Sequence, residues 1–464
     1  MAELHELGAA ELTELYQRKA ASPVEATHAV LGRIARWEPH LNATYALDPG
    51  RALAAAEASQ TRWLAGEPLG PLDGVPAMVK ENIATQGVPV PLGCAATPLV
   101  PAERDAPPAA RLREAGAVIL GKTTMPDQGM LSSGLSSLHG LTRNPWDLSK
   151  NPGGSSSGAG AGVAAGYGPL HLGTDIGGSV RLPAAWCGHF TLKPSLGRIP
   201  IHPPYYGRVA GPMTRSVEDA ALMMGVLSQP DVRDPTSLPF EAIAWERLER
   251  PLAGLRIGLQ LDAGWGLPVA PEVRAAVEAA ARAFEAAGAI VEPMAAVMTR
   301  EMADGMDRFW RFRSWRELGA LLPDRQAKVL PFILDWARGA AGLSGEQVFH
   351  GFSQMAAMRD AAVAASAAFD VVFSPVAPIV AYAAELPSPT NDPGRPFEHI
   401  GFTLPWNMSE QPAASVNAGY TAEGLPIGLQ IVGRRHDDLG VLQVARAWEQ
   451  LRPAQRPWPE PPAG

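Results

Sequence analysis

The sequence predicts an α/β protein: a large mixed, mostly parallel β-sheet core covered by helices on both faces, with a helical region that shapes a pocket. Three observations carry this. Short apolar runs bounded by glycine and proline begin at Asp73 and include Gly116 to Leu120 and Val371 to Ser374. Segments with apolar residues at helical spacing alternate with these runs, the pattern of strands buried on both faces. A length of 464 residues with 46% hydrophobic content supports a large core.

Four segments divide the chain. In 1–65, Leu12, Leu15 and Tyr16, then Ala26, Val30, Ile34 and Trp37, recur at helical spacing, and Ser22-Pro23 followed by Glu25 reads as a helix start. This helical segment is expected to pack on the core. Segment 66–229 is the expected catalytic α/β core. Segment 230–369 is variable: Leu255 to Leu259 reads as a strand, Pro271 to Ala287 as a helix and Ala289 to Val291 as a strand. Between Ala296 and Ala368 that pattern breaks, and Phe309, Trp310, Trp315, Trp336, Phe352 and Met355 crowd a helical region. They are either the core of a helical layer or an apolar acyl or aryl pocket, since such pockets are built from aromatic and Met side chains. Segment 370–464 completes the core with strands at Ala413 to Asn417 and Ile427 to Val432 around a Gly424-Leu425-Pro426 turn, then a last helix from Asp438 to Leu451. The proline-rich tail after Arg452 is expected to be loose.

Composition excludes several classes. A net charge of −8 offers no basic surface for nucleic acid. Two cysteines, Cys94 and Cys187, are too few for a disulfide framework or a metal cluster, so a cytoplasmic protein is expected. The first twenty residues are acidic and amphipathic, unlike a signal peptide, and no run approaches the length of a membrane span.

The chemistry concentrates in the run from Asn144 to Pro194, where two serine-bearing loops are built from glycine and small residues. The first is Gly153-Gly154-Ser155-Ser156-Ser157-Gly158, leading into a run of Ala and Gly; the second is Gly173-Thr174-Asp175-Ile176-Gly177-Gly178-Ser179. Consecutive glycines let backbone N–H groups face a bound oxygen. A serine at the end of such a loop can attack a carbonyl beside the donors that hold its oxyanion. It needs a base, and Lys80 closes the apolar run Val75-Pro76-Ala77-Met78-Val79. Arginine supplies most positive charge in this chain, yet it cannot release its proton in a protein, whereas a desolvated lysine can. Moving a lysine pKa from about 10.4 to about 7 or 8 requires roughly 4 kcal/mol against the charged form, which burial can supply.

Gly74 to Ile83, Gly153 to Gly158 and Gly173 to Gly188 together resemble the lysine, glycine-serine and nucleophile motifs of the amidase signature hydrolases. The spacing agrees: Ser155 follows Lys80 by 75 residues and Ser179 follows Ser155 by 24. The resemblance implies the amidase signature fold, with Lys80 as general base, Ser155 as bridging serine on a cis peptide and Ser179 as nucleophile. It implies an oxyanion hole from the N–H groups of Ile176, Gly177, Gly178 and Ser179, and substrate contacts at Gly129, Ser155, Ser156, Asp175 and Arg181. No metal or organic cofactor is required. The expected partner is a small amide or carbamate, and the expected oligomer a homodimer. Two departures stand out: Ser157 replaces a glycine common after the serine pair, and Leu182 stands where the glutaminyl-tRNA amidotransferases usually carry glutamine, which counts against tRNA-dependent work.

Each residue has a structural alternative. Lys80 is either the base or a buried lysine neutralised by Glu81 or Asp105; Ser155 can cap a helix; Ser179 can be a turn serine. Asp175 and Arg181 either brace the loop or touch substrate. The histidines nearest the serines, His171, His189 and His202, read as structural. Two motif matches are set aside. Gly116 to Thr123 spells a phosphate loop, but its centre is a strand. Gly154 to Gly158 spells a nucleophile elbow at Ser156, but Ser149-Lys150-Asn151-Pro152 is a poor preceding strand. The reading that follows is a hydrolase of amide-type C–N bonds. Its alternatives are carbamate or ester hydrolysis with the same triad, and an amidotransferase-like component that works only with a partner.

Overall fold

A computed structural model describes residues 3–462. In chain order its strands are β1 (Thr44–Tyr45), β2 (Pro76–Lys80), β3 (Val118–Thr123), β4 (Leu135–Ser136), β5 (Gly140–Leu141), β6 (Leu170–Asp175) and β7 (Phe190–Lys193). There follow β8 (Val209–Thr214), β9 (Arg256–Leu259), β10 (Ile290–Pro293), β11 (Val371–Pro375), β12 (Ala413–Tyr420) and β13 (Pro426–Gly433). Eleven of them form one sheet in the order β1-β3-β2-β6-β8-β7-β12-β13-β11-β9-β10, while β4 and β5 make a separate hairpin. All four segments of the sequence contribute strands to this one sheet.

The sheet is mixed. Parallel pairing occurs in two blocks, β3-β2-β6 and β11-β9-β10. Between them β8, β7, β12 and β13 pair antiparallel, which the apolar runs alone did not reveal. For β12 and β13 the cause is connection length: they are joined by a short turn in which Thr421 N–H bonds to the Leu425 carbonyl, and so tight a turn admits only an antiparallel pair.

Helices cover both faces, and the strand period of two shows how. Ala77 and Val79 join the core cluster that holds Leu227, Phe284 and Trp448, while Met78 joins the opposite one with Val30, Trp37 and Ala161. The helix start at Ser22 forms as read: the Ser22 hydroxyl accepts from Glu25 N–H and the Glu25 carboxylate returns to Ser22 N–H. Helix Ser157–Ala165 is buried along its whole length. A Cβ on Gly158 would sit 2.1 Å from the Ala43 carbonyl oxygen, and one on Gly162 would sit 2.7 Å from His171 Cε1. Only a run of small residues lets this helix lie against the sheet.

One alternative is decided and one expectation changes. Trp310 and Trp336 are buried with Met306, Met355 and Phe397, and Phe309, Trp315 and Phe332 pack partly buried against them, so the core reading holds for these aromatics, while Phe352 is exposed. The tail after Arg452 is not loose: Glu460 pairs with Arg33, and Arg215 lies 4.7 Å over the Trp458 ring. A partly buried guanidinium and an indole supply that docking. Among the described residues, no helix is long and apolar enough to cross a membrane.

Candidate active site

Lys80 is the last residue of β2, which runs parallel to β6, so both strands deliver their C-terminal ends to one place. In open α/β sheets that is where ligands bind. Lys80 lies two residues beyond Met78 and shares its face, the one covered by helix Ser157–Ala165. Ser155 enters that helix, and the Gly154–Ser155 peptide is cis. Lys80 Nζ donates to Ser155 Oγ at 2.8 Å and to Thr174 Oγ1 at 3.1 Å, while Asn82 Nδ2 holds the same Thr174 hydroxyl at 3.0 Å.

Lys80 is wholly buried. Among the described residues no carboxylate pairs with it: Glu81 meets His139 and Asp105 meets Arg113. The neutralised-lysine alternative therefore lacks its partner. Burial, reinforced by the charge of Arg208, outweighs the opposing pull of Asp175 and Glu81 and holds the ammonium well below the ordinary lysine value of 10.5. A lysine shifted in that direction gives up its proton more readily than a free one, and its neutral form can accept a proton.

The second loop is tied from below. Asp175 ends β6, and its carboxylate accepts from Gly178 N–H at 2.8 Å and Val180 N–H at 3.1 Å. Thr403 Oγ1 donates to the Gly177 carbonyl at 2.6 Å. Among the described residues the N–H groups of Ile176, Gly177 and Ser179 have no partner. Ser155, Ser179 and Gly129 line a cavity of about 310 Å³. A smaller cleft of about 30 Å³ adjoins Ser179 and is walled by Met130, Ile176, Trp310, Phe397 and Ile400. No hydrogen bond joins Ser155 Oγ to Ser179 Oγ among the described residues; catalytic bonds of this kind commonly tighten when substrate binds. A buried base, a hydroxyl bonded to it, a second hydroxyl in the same cavity and three unoccupied amides make a constellation suited to acyl transfer. A surface groove of about 370 Å³ at Leu222, Phe240 and Trp245 contains neither serine loop.

A family profile described as Amidase matches residues 25–442. The chain belongs to the amidase signature family. The A component of the glutamyl-tRNA(Gln) amidotransferase of Alkalilimnicola ehrlichii is 34% identical over 491 residues, spanning 98% of this chain and 99% of that one. An acylamidase of Rhodococcus erythropolis is 33% identical over 467 residues, spanning 97% and 96%. Among solved structures, a bacterial aryl acylamidase of the amidase signature family superposes with a TM-score of 0.88 at 31% identity over 97% of each chain. A 6-aminohexanoate cyclic dimer hydrolase does so at 0.89 and 26% identity, over 99% of each.

Within this amidase signature chain, four of the expected site residues have their polar groups bonded to protein. Arg181 is fully buried and spends all five N–H donors on protein. Nε and Nη2 reach Asp175 at 3.0 and 2.9 Å, Nη1 reaches the Thr403 carbonyl and Gln430 Oε1 at 2.9 and 2.8 Å, and Nη2 also reaches Asn407 Oδ1 at 2.6 Å. Nothing is left for substrate. Asp175 borders the cavity, but both its oxygens are taken, Asn407 Nδ2 adding a bond at 2.9 Å. Burial alone would raise its pKa; Arg181, with Lys193 and Asn407, reverses that and holds it well below the usual carboxylate range. The pair is the loop brace. Ser156 is buried, its hydroxyl donating to the Thr174 carbonyl at 3.3 Å, and it occupies the helix N-cap position that had been the alternative for Ser155. The Gly178 N–H is committed to Asp175, which removes it from the expected oxyanion donors.

Gly129 does border both cavities, and a Cβ there would lie 3.5 Å from Ser155 Oγ. The sequence missed Thr174 and Asn82 as partners of the lysine cluster, although both lie inside the motifs it singled out. It also missed Thr403, Asn407 and Gln430, for which no local pattern exists, and the cavity-lining Tyr205, Arg208 and Arg313.

Proposed function

We propose that this chain hydrolyses amide-type C–N bonds through a serine acyl-enzyme. One observation carries the reading: buried Lys80, held toward its neutral form, bonds Ser155 at 2.8 Å in the cavity that Ser179 shares. Lys80 takes a proton from Ser155 as Ser155 takes one from Ser179, and Ser179 Oγ attacks the carbonyl carbon. The oxyanion faces the N–H groups of Ile176, Gly177 and Ser179, each donor worth on the order of 3 kcal/mol. Ser155 returns a proton to the leaving nitrogen as the C–N bond breaks. Water, deprotonated along the same relay, then cleaves the acyl ester and releases the acid. The apolar cleft beside Trp310 and Phe397 suits a small apolar or aryl group.

The test is hydrolysis of an aliphatic amide, an aryl anilide, an aryl carbamate and an ester of matched acyl group by the purified chain, with Ser179→Ala as control. Serine-dependent cleavage of the amides supports the reading; cleavage of only the carbamate or ester moves it to those leaving groups.

A second reading, an amidotransferase-like component that works only with a partner, is favoured by the glutamyl-tRNA(Gln) amidotransferase components among the relatives. Against it stands Leu182, buried beside the nucleophile loop where that class usually carries glutamine. Amide hydrolysis by the isolated chain would exclude it.

A further inference from the structure

Two arginines, Arg208 and Arg313, line the larger cavity together with Ser179. Among the described residues neither forms an ion pair, whereas the buried Arg33, Arg181 and Arg198 each meet a carboxylate. Among the described residues the one side-chain hydrogen bond of Arg208 runs to the Pro203 carbonyl at 3.4 Å. Arg313 stacks 4.6 Å over the Tyr205 ring and directs Nη2 at Met130 Sδ, 3.3 Å away. Tyr205 Oη, on the same wall, is buried without a partner among the described residues. Two carboxylates also border the cavity: Asp175 is consumed by Arg181, and Glu317 stands exposed at the rim without reaching either arginine. Partly desolvated guanidinium groups left unpaired cost stability unless a ligand completes them, and their planar fork fits a carboxylate.

We infer that the substrate part occupying the larger cavity carries a carboxylate, which Arg208 and Arg313 bind with help from Tyr205 Oη, while its apolar part enters the cleft beside Trp310. The inference rests on the reading of this cavity as the substrate site of Ser179. It names the substrate class as an amide acid: an amide with an apolar group on one side of the scissile bond and an anionic group on the other.

The experiment uses three anilides: acetanilide, which is neutral; succinanilic acid, with the carboxylate on the acyl side; and 4-acetamidobenzoate, with it on the amine side. Binding of each is measured by calorimetry to the full-length Ser179→Ala protein, where turnover does not interfere. One of the two acids should bind at least about tenfold more tightly than acetanilide, and Arg208→Gln or Arg313→Gln added to that background should erase the difference, with Arg208→Lys restoring part of it. Which acid wins tells which side of the bond faces the arginines. Equal binding of all three, absence of binding by both acids, or a preference that survives both Gln variants would overturn the inference.

Hydrolysis by the protein with Ser179 intact separates the two readings. Serine-dependent cleavage without carboxylate preference sinks only the inference, whereas cleavage that persists in Ser179→Ala sinks the acyl-enzyme itself. A further readout distinguishes charge from packing. Arg208 is among the groups that lower Lys80, so Arg208→Gln should move the rising, low-pH limb of the kcat/KM profile for acetanilide to higher pH.

Discussion

Arg181 and Arg208 lie on two sides of the same serine loop and are used in opposite ways. Beneath the loop, Arg181 gives every donor to Asp175, Thr403, Asn407 and Gln430. On the cavity wall, Arg208 gives one long bond to a carbonyl. The floor is a closed network whose members satisfy one another, so it fixes where the amides of Ile176, Gly177 and Ser179 point. The wall is open, so it keeps interaction energy in reserve for what enters. A site that must position one developing charge and accept one substrate needs both arrangements, and the same side chain serves either according to what surrounds it.

The largest effect is expected at the nucleophile. Ser179→Ala should lower kcat/KM on any cleaved amide by at least about a thousandfold with the melting temperature kept, as removal of a nucleophile does elsewhere; a variant that retains full activity removes the nucleophile from the scheme. Lys80→Ala should lose nearly as much. In the unsubstituted protein the sign of the pH dependence follows from the direction of the Lys80 shift. A base must be unprotonated, so the rate should rise with pH through the folded pKa of Lys80 and level off well below the ordinary value of 10.5. A rate that climbs steadily to about pH 10 would mean an unperturbed lysine.

The floor should answer in stability. Arg181→Gln leaves the buried Asp175 carboxylate without its cation, at a cost of about 3–5 kcal/mol read from denaturant unfolding. Arg208→Gln, by contrast, should alter unfolding by under about 1 kcal/mol and act on KM instead; equal destabilisation by the two would erase the distinction between floor and wall. The smallest effect is expected at Thr403→Val. It removes one hydrogen bond to the Gly177 carbonyl, about 1 kcal/mol of stability, and should lower kcat several-fold while leaving KM nearly constant, because the loop amides act in the transition state.

Much of this site was legible before folding was considered. Val75 to Lys80 reads as a buried strand ending in a lysine, and Pro76–Lys80 is β2 with Lys80 fully buried. The strand period alone puts Lys80 on the face of Met78, which is the face of the Ser155 helix. The last helix runs from Asp438 to Leu451 as its spacing predicts, because a 3.6-residue period with an acidic N-cap is local information. The brace was legible only as an ambiguity: Asp175 and Arg181 are six residues apart, yet what decides their role is Thr403, Asn407 and Gln430, more than two hundred residues away.

The sequence by itself therefore determined the chemistry-bearing loops, the strand-borne lysine and the alternation of strands with helices, since each rests on neighbours in the chain. Tertiary structure decided which donors are spent and which are free. It committed the Gly178 amide to Asp175 and left those of Ile176, Gly177 and Ser179 open. It closed Arg181 and left Arg208 and Arg313 facing the cavity. The physical reason is that hydrogen-bond satisfaction and desolvation are properties of what surrounds a group in space, and in this fold those surroundings come from the far end of the chain.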